Sequence, residues 1–320
     1  MTVPSGLFIA DKPAGPTSHD LVLAVRRRIR GARVGHAGTL DPAATGVLLL
    51  LLGKATKLAE TLMDETKEYE ATIRLGRQTD SGDAAGAVTR EYDGALPDAA
   101  AIRAILSRFV GAIEQVPPMV SALKIGGRRL YELAREGKIV PRVARPVRVD
   151  RLDLLEWTPP LARVRVVCGR GTYVRVLAED IGDALGVGGT LDALRRTRVG
   201  PYRIENALSQ HDFAESLAMG TWSRHLISMG EALAHLPSVV VSDDQRPRLL
   251  HGQPTPGAEI ISFPDGLAPG AKLRILDTSG RLLATARAAL GAERPGAPLL
   301  RDDIPFEIER VLADPEEVAS

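Results

Sequence analysis

The carboxylate best placed for covalent chemistry is Asp41, within V-G-H-A-G-T-L-D-P-A-A-T-G at residues 34–46. Around it stand one imidazole, His36, and enough glycine and proline to force a shaped loop in place of a regular element. Pro42 follows Asp41 directly and biases it away from the helical region, so a short carboxylate can be turned outward from the bend. Such a group can attack carbon or abstract a proton. An Asp–Pro turn whose side chain binds its own backbone is the structural alternative, and residue types alone leave both open.

Two further clusters carry polar chemistry. G-R-Q-T-D-S-G-D-A-A-G at 76–86 pairs Asp80 with Asp83 but lacks the closing Glu of a calcium loop, so it reads as a structured turn with Asp83 organising nearby arginines. In G-R-G-T-Y-V-R at 169–175, Tyr173 and Arg175 stand two apart and would share one face of an extended strand. No Asp-x-Asp or P-loop lies near Asp41, and the 6 histidines show no paired metal spacing; both points argue against an Asp-nucleophile phosphohydrolase and against a metal site.

These loops need a scaffold. The run V-L-L-L-L-L at 47–52 is a strand able to bury both faces, and it anchors the Asp41 loop. Residues 6–10 read as a strand leading into a Pro- and Gly-rich turn. A helix capped by Ser18 follows, with Leu21, Val22, Val25 and Ile29 inward and Arg26, Arg27, Arg28 and Arg30 on the other face. Helices are expected over 54–63, 98–109 and 176–185, and strands over 68–75, 147–155 and 163–168. Between 115 and 146 lies a Pro-rich hinge, then a glycine turn bearing Lys124, Arg128 and Arg129, then a short helix with Tyr131. Past Leu236 the pattern becomes short alternating strands with Gly and Pro turns, a small all-β module over 237–312, followed by an acidic tail at 313–320 expected to be flexible.

At 320 residues, 44% hydrophobic and 25% charged, the chain has the composition of a soluble protein of about two domains. One cysteine, Cys168, excludes a disulfide framework and fits a reducing cytoplasm. Neither a signal peptide nor an apolar stretch of membrane-spanning length is visible, so no membrane association is expected. Net charge is only +1, but residues 128–151 are strongly basic while the tail is acidic, which suits a polyanionic partner better than the total implies.

G-H-A-G-T-L-D-P-A-A-T-G at 35–46 resembles the signature of the TruB-type tRNA pseudouridine synthases, and so do Lys12-Pro13, the Lys67–Tyr69 triplet, 76–86, 115–137, 169–175 and L-R-R-T-R-V-G-P-Y at 194–202. The resemblance implies an α+β fold: a catalytic domain over 1–236, built on a mixed, largely antiparallel sheet flanked by helices and loops, with an RNA-clamping insertion near 115–146. A PUA-like RNA-binding domain would follow over 237–312. It also implies isomerisation of uridine to pseudouridine at position 55 in the TΨC loop of tRNA, with Asp41 catalytic. The base pocket would comprise Tyr69 stacking on the base, Tyr173 beside it, Arg175 against the carboxylate and Leu194 packing below. RNA contacts would fall to His36, Lys12, Lys124, Arg128, Arg129, Arg195 and Arg196.

The isomerisation breaks one glycosidic bond and makes another without redox change or group donor, so no cofactor is expected. The T stem-loop of tRNA is the expected partner, met by a monomer without guide RNA or obligate protein subunit. A non-catalytic RNA-binding or RNA-folding protein is the rival from another class; in it Asp41 would be dispensable.

Overall fold

The computed structural model describes residues 3–313 apart from 120, 122, 131–132, 134–135, 137, 139, 254–258, 265 and 290–304. Its central element is the leucine run. Strand β1 (Gly6–Lys12) pairs antiparallel with β3 (Thr45–Leu52) along its length, and β2 (Val34–Ala37) pairs with Leu49–Leu52 on the other edge of β3, with His36 opposite Leu50. Successive side chains of a strand point to opposite faces, and here both faces are covered. Phe8, Leu48, Leu50 and Leu52 pack with Val22 and Val25 of the Ser18–Arg28 helix, with its C-cap Ile29 and with Phe213 and Leu217. Leu7, Leu49 and Leu51 pack on the opposite side with Leu58, Leu62 and Tyr202. An unbroken apolar run is what a doubly buried strand requires.

The sheet continues through β4 (Lys67–Leu75), whose odd-numbered residues are buried and even-numbered ones partly exposed. The β5 (Arg77–Thr79) and β6 (Val88–Glu91) strands form a separate ribbon. Then come β7 (Gly111–Gln115), a small hairpin of β8 (Lys124–Ile125) and β9 (Arg128–Arg129), β10 (Arg145–Thr158), β11 (Leu161–Cys168) and β12 (Gly189–Val199). With β13 (Tyr202–Arg203) and β14 (Ile227–Ser228) the order is β14-β1-β3-β12-β4-β11-β10-β7, β2 and β13 pairing off that path. Only β3 and β12 run parallel within it, so the sheet is mixed and largely antiparallel as expected. Helices Ala99–Ser107 and Val174–Ala184 cover the buried face of β4, β10, β11 and β12.

A second sheet of β15 (Ser238–Val241), β16 (Ile260–Ser262), β17 (Lys272–Leu276), β18 (Leu282–Ala288) and β19 (Phe306–Val311) is ordered β16-β15-β17-β18-β19 around its own core of Val239, Leu273, Ile275 and Phe306. Among the described residues a helical turn at Asp243–Gln245 leads into a short helix, Arg246–Leu250, that packs on it. It is fastened to the first by apolar contact of Leu282 and Leu312 with the Leu49 cluster. Lys272 adds polar contacts, donating to Thr61 O at 2.9 Å and standing 2.8 Å from Asp64. Ala313 is buried in the second sheet's core, so the expected tail does not begin there; 314–320 lie outside the described residues.

Candidate active site

Asp41 sits in the loop joining β2 to β3, and that loop is held from three sides by its backbone. The hydroxyl of Ser18 accepts from Leu40 N at 2.9 Å and donates to Leu40 O at 3.2 Å. Lys12 Nζ donates to Pro42 O at 3.0 Å and Ala44 O at 2.8 Å. Arg196 donates from Nη2 to Gly38 O at 3.0 Å and from Nε to Val47 O at 2.7 Å. Where β12 crosses, Gly46 has φ 104°, and a Cβ there would lie 2.1 Å from Arg196 O, so only glycine fits.

The carboxylate so presented is 44% exposed, and its other side meets Arg175, whose side chain is only 5% exposed: Nε lies 3.0 Å from Asp41 Oδ2. Arg175 also donates from Nη1 to Ser81 O at 3.1 Å and stands 3.8 Å from Asp83 Oδ2. Its donors thus tie the acid to the 79–86 turn. That turn is pinned to β12, with Leu191 N donating to Gly82 O at 3.0 Å and Ala84 N to Leu191 O at 3.0 Å. One acid, open on the substrate side and paired on the protein side, can act as nucleophile or base at a bound carbon centre.

Arg175 does not stand on a strand. The Val174–Ala184 helix begins two residues earlier than expected, Tyr173 is its N-cap in extended conformation, and the two side chains share no strand face. Tyr173 has no side-chain cap bond. Its backbone is gripped instead by Gln115, 2% exposed, which accepts from Tyr173 N at 3.0 Å and donates to Tyr173 O at 3.3 Å. Likewise Thr17, and not Ser18, caps the first helix through a capping box with Asp20, leaving Ser18 free to hold Leu40.

Tyr69 lies on the buried face of β4, in one apolar cluster with Leu40 and Ala44 of the Asp41 loop, and Leu194 packs against that cluster. Burial pushes the Tyr69 phenol up, with the charge and hydrogen bond of Arg196 opposing that shift. The structure therefore brings Asp41, Arg175, Tyr69 and Leu194 together, with half-buried Tyr173 at the head of the Arg175 helix.

The residues expected on RNA divide. Lys12 is fully buried and Arg196 is 1% exposed. Both bind backbone carbonyls, so both are corrected to internal supports of the Asp41 loop; a fully desolvated cation meets no phosphate. Burial lowers the Lys12 ammonium to about 8. His36 lies on β2, half-buried; burial first, then the Arg196 and His19 charges, lower its pKa, so the ring is neutral at pH 7 and offers a partner hydrogen bonds rather than a positive charge. Arg195 is 43% exposed and pairs with Asp11 at 2.8 Å. Arg128 is exposed and pairs with Glu136. Tyr131 and the side chains of Lys124 and Arg129 fall outside the described residues. Among the described residues the one group of acids and histidine able to gather a metal is His211, Asp212 and Glu215, exposed on the Gln210–Met219 helix and not in the Asp41 loop.

Sequence reasoning passed over Ser18 and Gln115 as supports. Both act across long stretches of chain, and only Gln115, closing a strand just before the Pro-rich hinge, carried any local signal.

Comparison with known proteins finds similarity in both sequence and fold. A profile described as TruB family pseudouridylate synthase (N terminal domain) matches residues 26–174, and one described as tRNA pseudouridylate synthase B C-terminal domain matches 175–234. A protein of Burkholderia mallei named tRNA pseudouridine synthase B is 43% identical over 290 residues, 91% of this chain and 95% of its own. Another so named, from Dechloromonas aromatica, is 44% identical over 280 residues, 87% of this chain and 89% of its own. Among solved structures, a chain of a Cbf5-Nop10-Gar1 complex superposes with TM-score 0.77 at 28% identity, covering 98% of this chain and 86% of its own. The archaeal box H/ACA sRNP Nop10-Cbf5 complex gives 0.73 at 27% identity, covering 98% and 88%.

Proposed function

Because this chain belongs to the TruB family of pseudouridylate synthases, an isomerase family whose named relatives act on tRNA, we propose that it converts uridine to pseudouridine at position 55 in the TΨC loop of tRNA. The observation that carries the reading is the Asp41–Arg175 pair at 3.0 Å: an open carboxylate, backed by a buried guanidinium, beside an apolar floor that includes Tyr69 and Leu194.

The target uridine leaves its stack at a cost of a few kcal/mol, offset by stacking on Tyr69 worth about 1–3 kcal/mol. Asp41 acts at the sugar, either adding to C1′ or taking the 2′ proton, and the C1′–N1 bond breaks with its electrons on N1. The apolar pocket retains the detached uracil, which turns and forms the C1′–C5 bond. As that bond forms, Asp41 leaves C1′ or returns the 2′ proton; Tyr173 relays the C5 proton, taking it up as its own phenol proton passes on, so that N1 gains the one proton C5 loses and atoms balance with no oxidant or donor. Arg175 keeps the Asp41 charge compensated throughout. The site works in a standalone monomer in the cytoplasm, with 1–236 catalytic, the 115–146 insertion clamping the RNA through Lys124, Arg128 and Arg129, and 237–312 a PUA-like RNA-binding unit.

The test is tritium release from tRNA labelled at C5 of uridine, in buffer with EDTA, comparing native protein with Asp41→Asn. Release by the native protein alone, with tRNA binding kept in the variant, supports the reading. Binding by both without release by either would leave an RNA-binding protein and no isomerase.

A further inference from the structure

The exposed arginines of this chain differ in how they are partnered and grouped, and one group is both unpaired and clustered within eight positions. Many stand against a carboxylate, as Arg148 does with Asp150, Arg151 with Asp153, Arg163 with Glu156 and Arg170 with Asp64; Arg90, Arg103, Arg108, Arg145, Arg224 and Arg310 have no ion pair among the described residues but stand apart in the sequence. The clustered group is Arg26, Arg27, Arg28, Arg30 and Arg33. All five are exposed, no acid occurs in the sequence between Asp20 and Asp41, and among the described residues none of the five makes an ion pair. Clustered like charges repel, so the arrangement has a cost that a merely solvated surface would avoid. A cation in the last helical turn gains about 0.3–1 kcal/mol from the helix dipole, which favours Arg26, Arg27 and Arg28 there. It does not account for Arg30 and Arg33, which lie beyond the helix end at Arg28.

Position adds the second half of the argument. The helix buries Val22 and Val25 and turns its arginines outward. Its first turn holds Leu40, next to Asp41, through Ser18, and after Arg33 the chain enters β2, which returns to the same loop. The patch and the candidate nucleophile are thus opposite ends of one rigid unit, separated by a helix of 11 residues, or roughly 16 Å at 1.5 Å per residue. A duplex covers that distance in about five base-pair steps at roughly 3.4 Å each. A stem that leaves a nucleotide seated at Asp41 along this helix reaches the patch within about five base pairs.

We propose that Arg26, Arg27, Arg28, Arg30 and Arg33 form a phosphate-binding surface for the duplex arm of the tRNA whose loop nucleotide enters the Asp41 site; the inference rests on the function proposed above. Guanidinium forks match phosphate oxygens, and contacts of this kind set register without reading sequence. The surface takes the backbone of a structured RNA and shows no preference for stem sequence.

The test uses the full-length protein and tRNA transcript. The variant Arg26→Gln/Arg27→Gln/Arg28→Gln/Arg30→Gln keeps good helix formers, and Arg77→Gln/Arg90→Gln/Arg103→Gln/Arg108→Gln removes the same charge elsewhere. Expected for the first is at least tenfold weaker tRNA binding at 0.1 M salt, and a plot of log affinity against log salt flattened by about 0.7–0.9 for each phosphate no longer neutralised. Its rate at saturating tRNA stays native, and the control keeps the native slope. An unchanged slope with a lowered melting temperature would show that the arginines serve the helix alone and overturn the proposal, as would an equal drop in affinity for the control. Failure of native protein to release tritium would instead sink the proposed function, while the salt slopes would still report on the patch.

Discussion

Positive charge is used in opposite ways on the two sides of the Asp41 loop. Inside, Lys12, Arg175 and Arg196 are almost wholly withdrawn from water, and their donors go to backbone carbonyls and one or two carboxylates around the loop. Outside, the arginines of 26–33 engage no carboxylate among the described residues. A buried cation survives only if its donors are satisfied, so the inner set must be fixed in place, and fixing it fixes the acid. The outer set keeps its donors for a partner. The same residue types thus act as rivets on one side and as ligands on the other.

The largest effects should come from the acid and its counter-ion. Asp41→Asn should lower tritium release on the order of 10^4-fold, the size seen when one reacting group is removed, with tRNA affinity kept. Arg175→Lys retains a charge but cannot hold Asp41 and Ser81 O in one planar fork. A loss of about 100-fold or more in kcat with little change in KM is expected. A variant whose KM rises instead would place Arg175 among the ligands and break the division.

Adjacent residues sharpen it next. Arg196→Met leaves Gly38 O and Val47 O unpaired in the core, at roughly 1–3 kcal/mol each. Thermal unfolding should shift down by several degrees and activity should fall with it. Arg195→Ala removes a 43%-exposed partner of Asp11, worth at most ~1 kcal/mol, and should leave the melting temperature within a degree or two. Comparable shifts in the two would mean that position 196 is no rivet.

Why the sequence could not separate these neighbours is visible in β12. Its pairing with β4 has register shifts between Leu191 and Ala193 and again between Arg196 and Arg198. Counting alternate residues from either end therefore assigns the wrong face, because each bulge resets the period of two. Lys12 was hidden for a different reason: β1 is buried on both faces, so no alternation exists to mark its lysine as internal. The mixed sheet, the doubly buried leucine strand and the Asp41 loop were legible, since each rests on local residue types or a spaced motif. The Tyr173 cap was not, because it comes from Gln115, 58 residues away in sequence.

Gln115 supplies a smaller effect. Gln115→Ala removes both partners of the Tyr173 backbone and should lower kcat about tenfold, whereas Gln115→Glu keeps the acceptor for Tyr173 N–H and should recover part of that loss. Equal loss in both would tie Gln115 to packing alone.

The smallest effect is also the most diagnostic, because the inner cations should answer to pH in two opposite directions. Burial lowers Lys12 and Lys67 from 10.5 to about 8 each. Below pH 8 both folded and unfolded chains carry these protons, and the desolvation penalty is constant. From about 8 to 10.5 the unfolded chain binds more protons than the folded one, so this contribution to stability rises with pH. Only the lower part, to about pH 9, reads cleanly, since burial pushes the Cys168 thiol up from 9.0 to about 11 and it acts in the other direction above that, as do the raised phenols of Tyr69 and Tyr202 at higher pH. Over the same window a neutral Lys12 has two protons to offer three carbonyls, Pro13 O, Pro42 O and Ala44 O, so the Asp41 loop loosens and kcat falls. Denaturant titrations at pH 7.5–9, run beside single-turnover rates, should show stability climbing while the rate declines. Lys12→Met should flatten the rate profile, and Lys67→Met should flatten only the stability profile. A rate and a stability that fall together would mean that the loop is lost by general alkaline unfolding, and that Lys12 does not govern the position of Asp41.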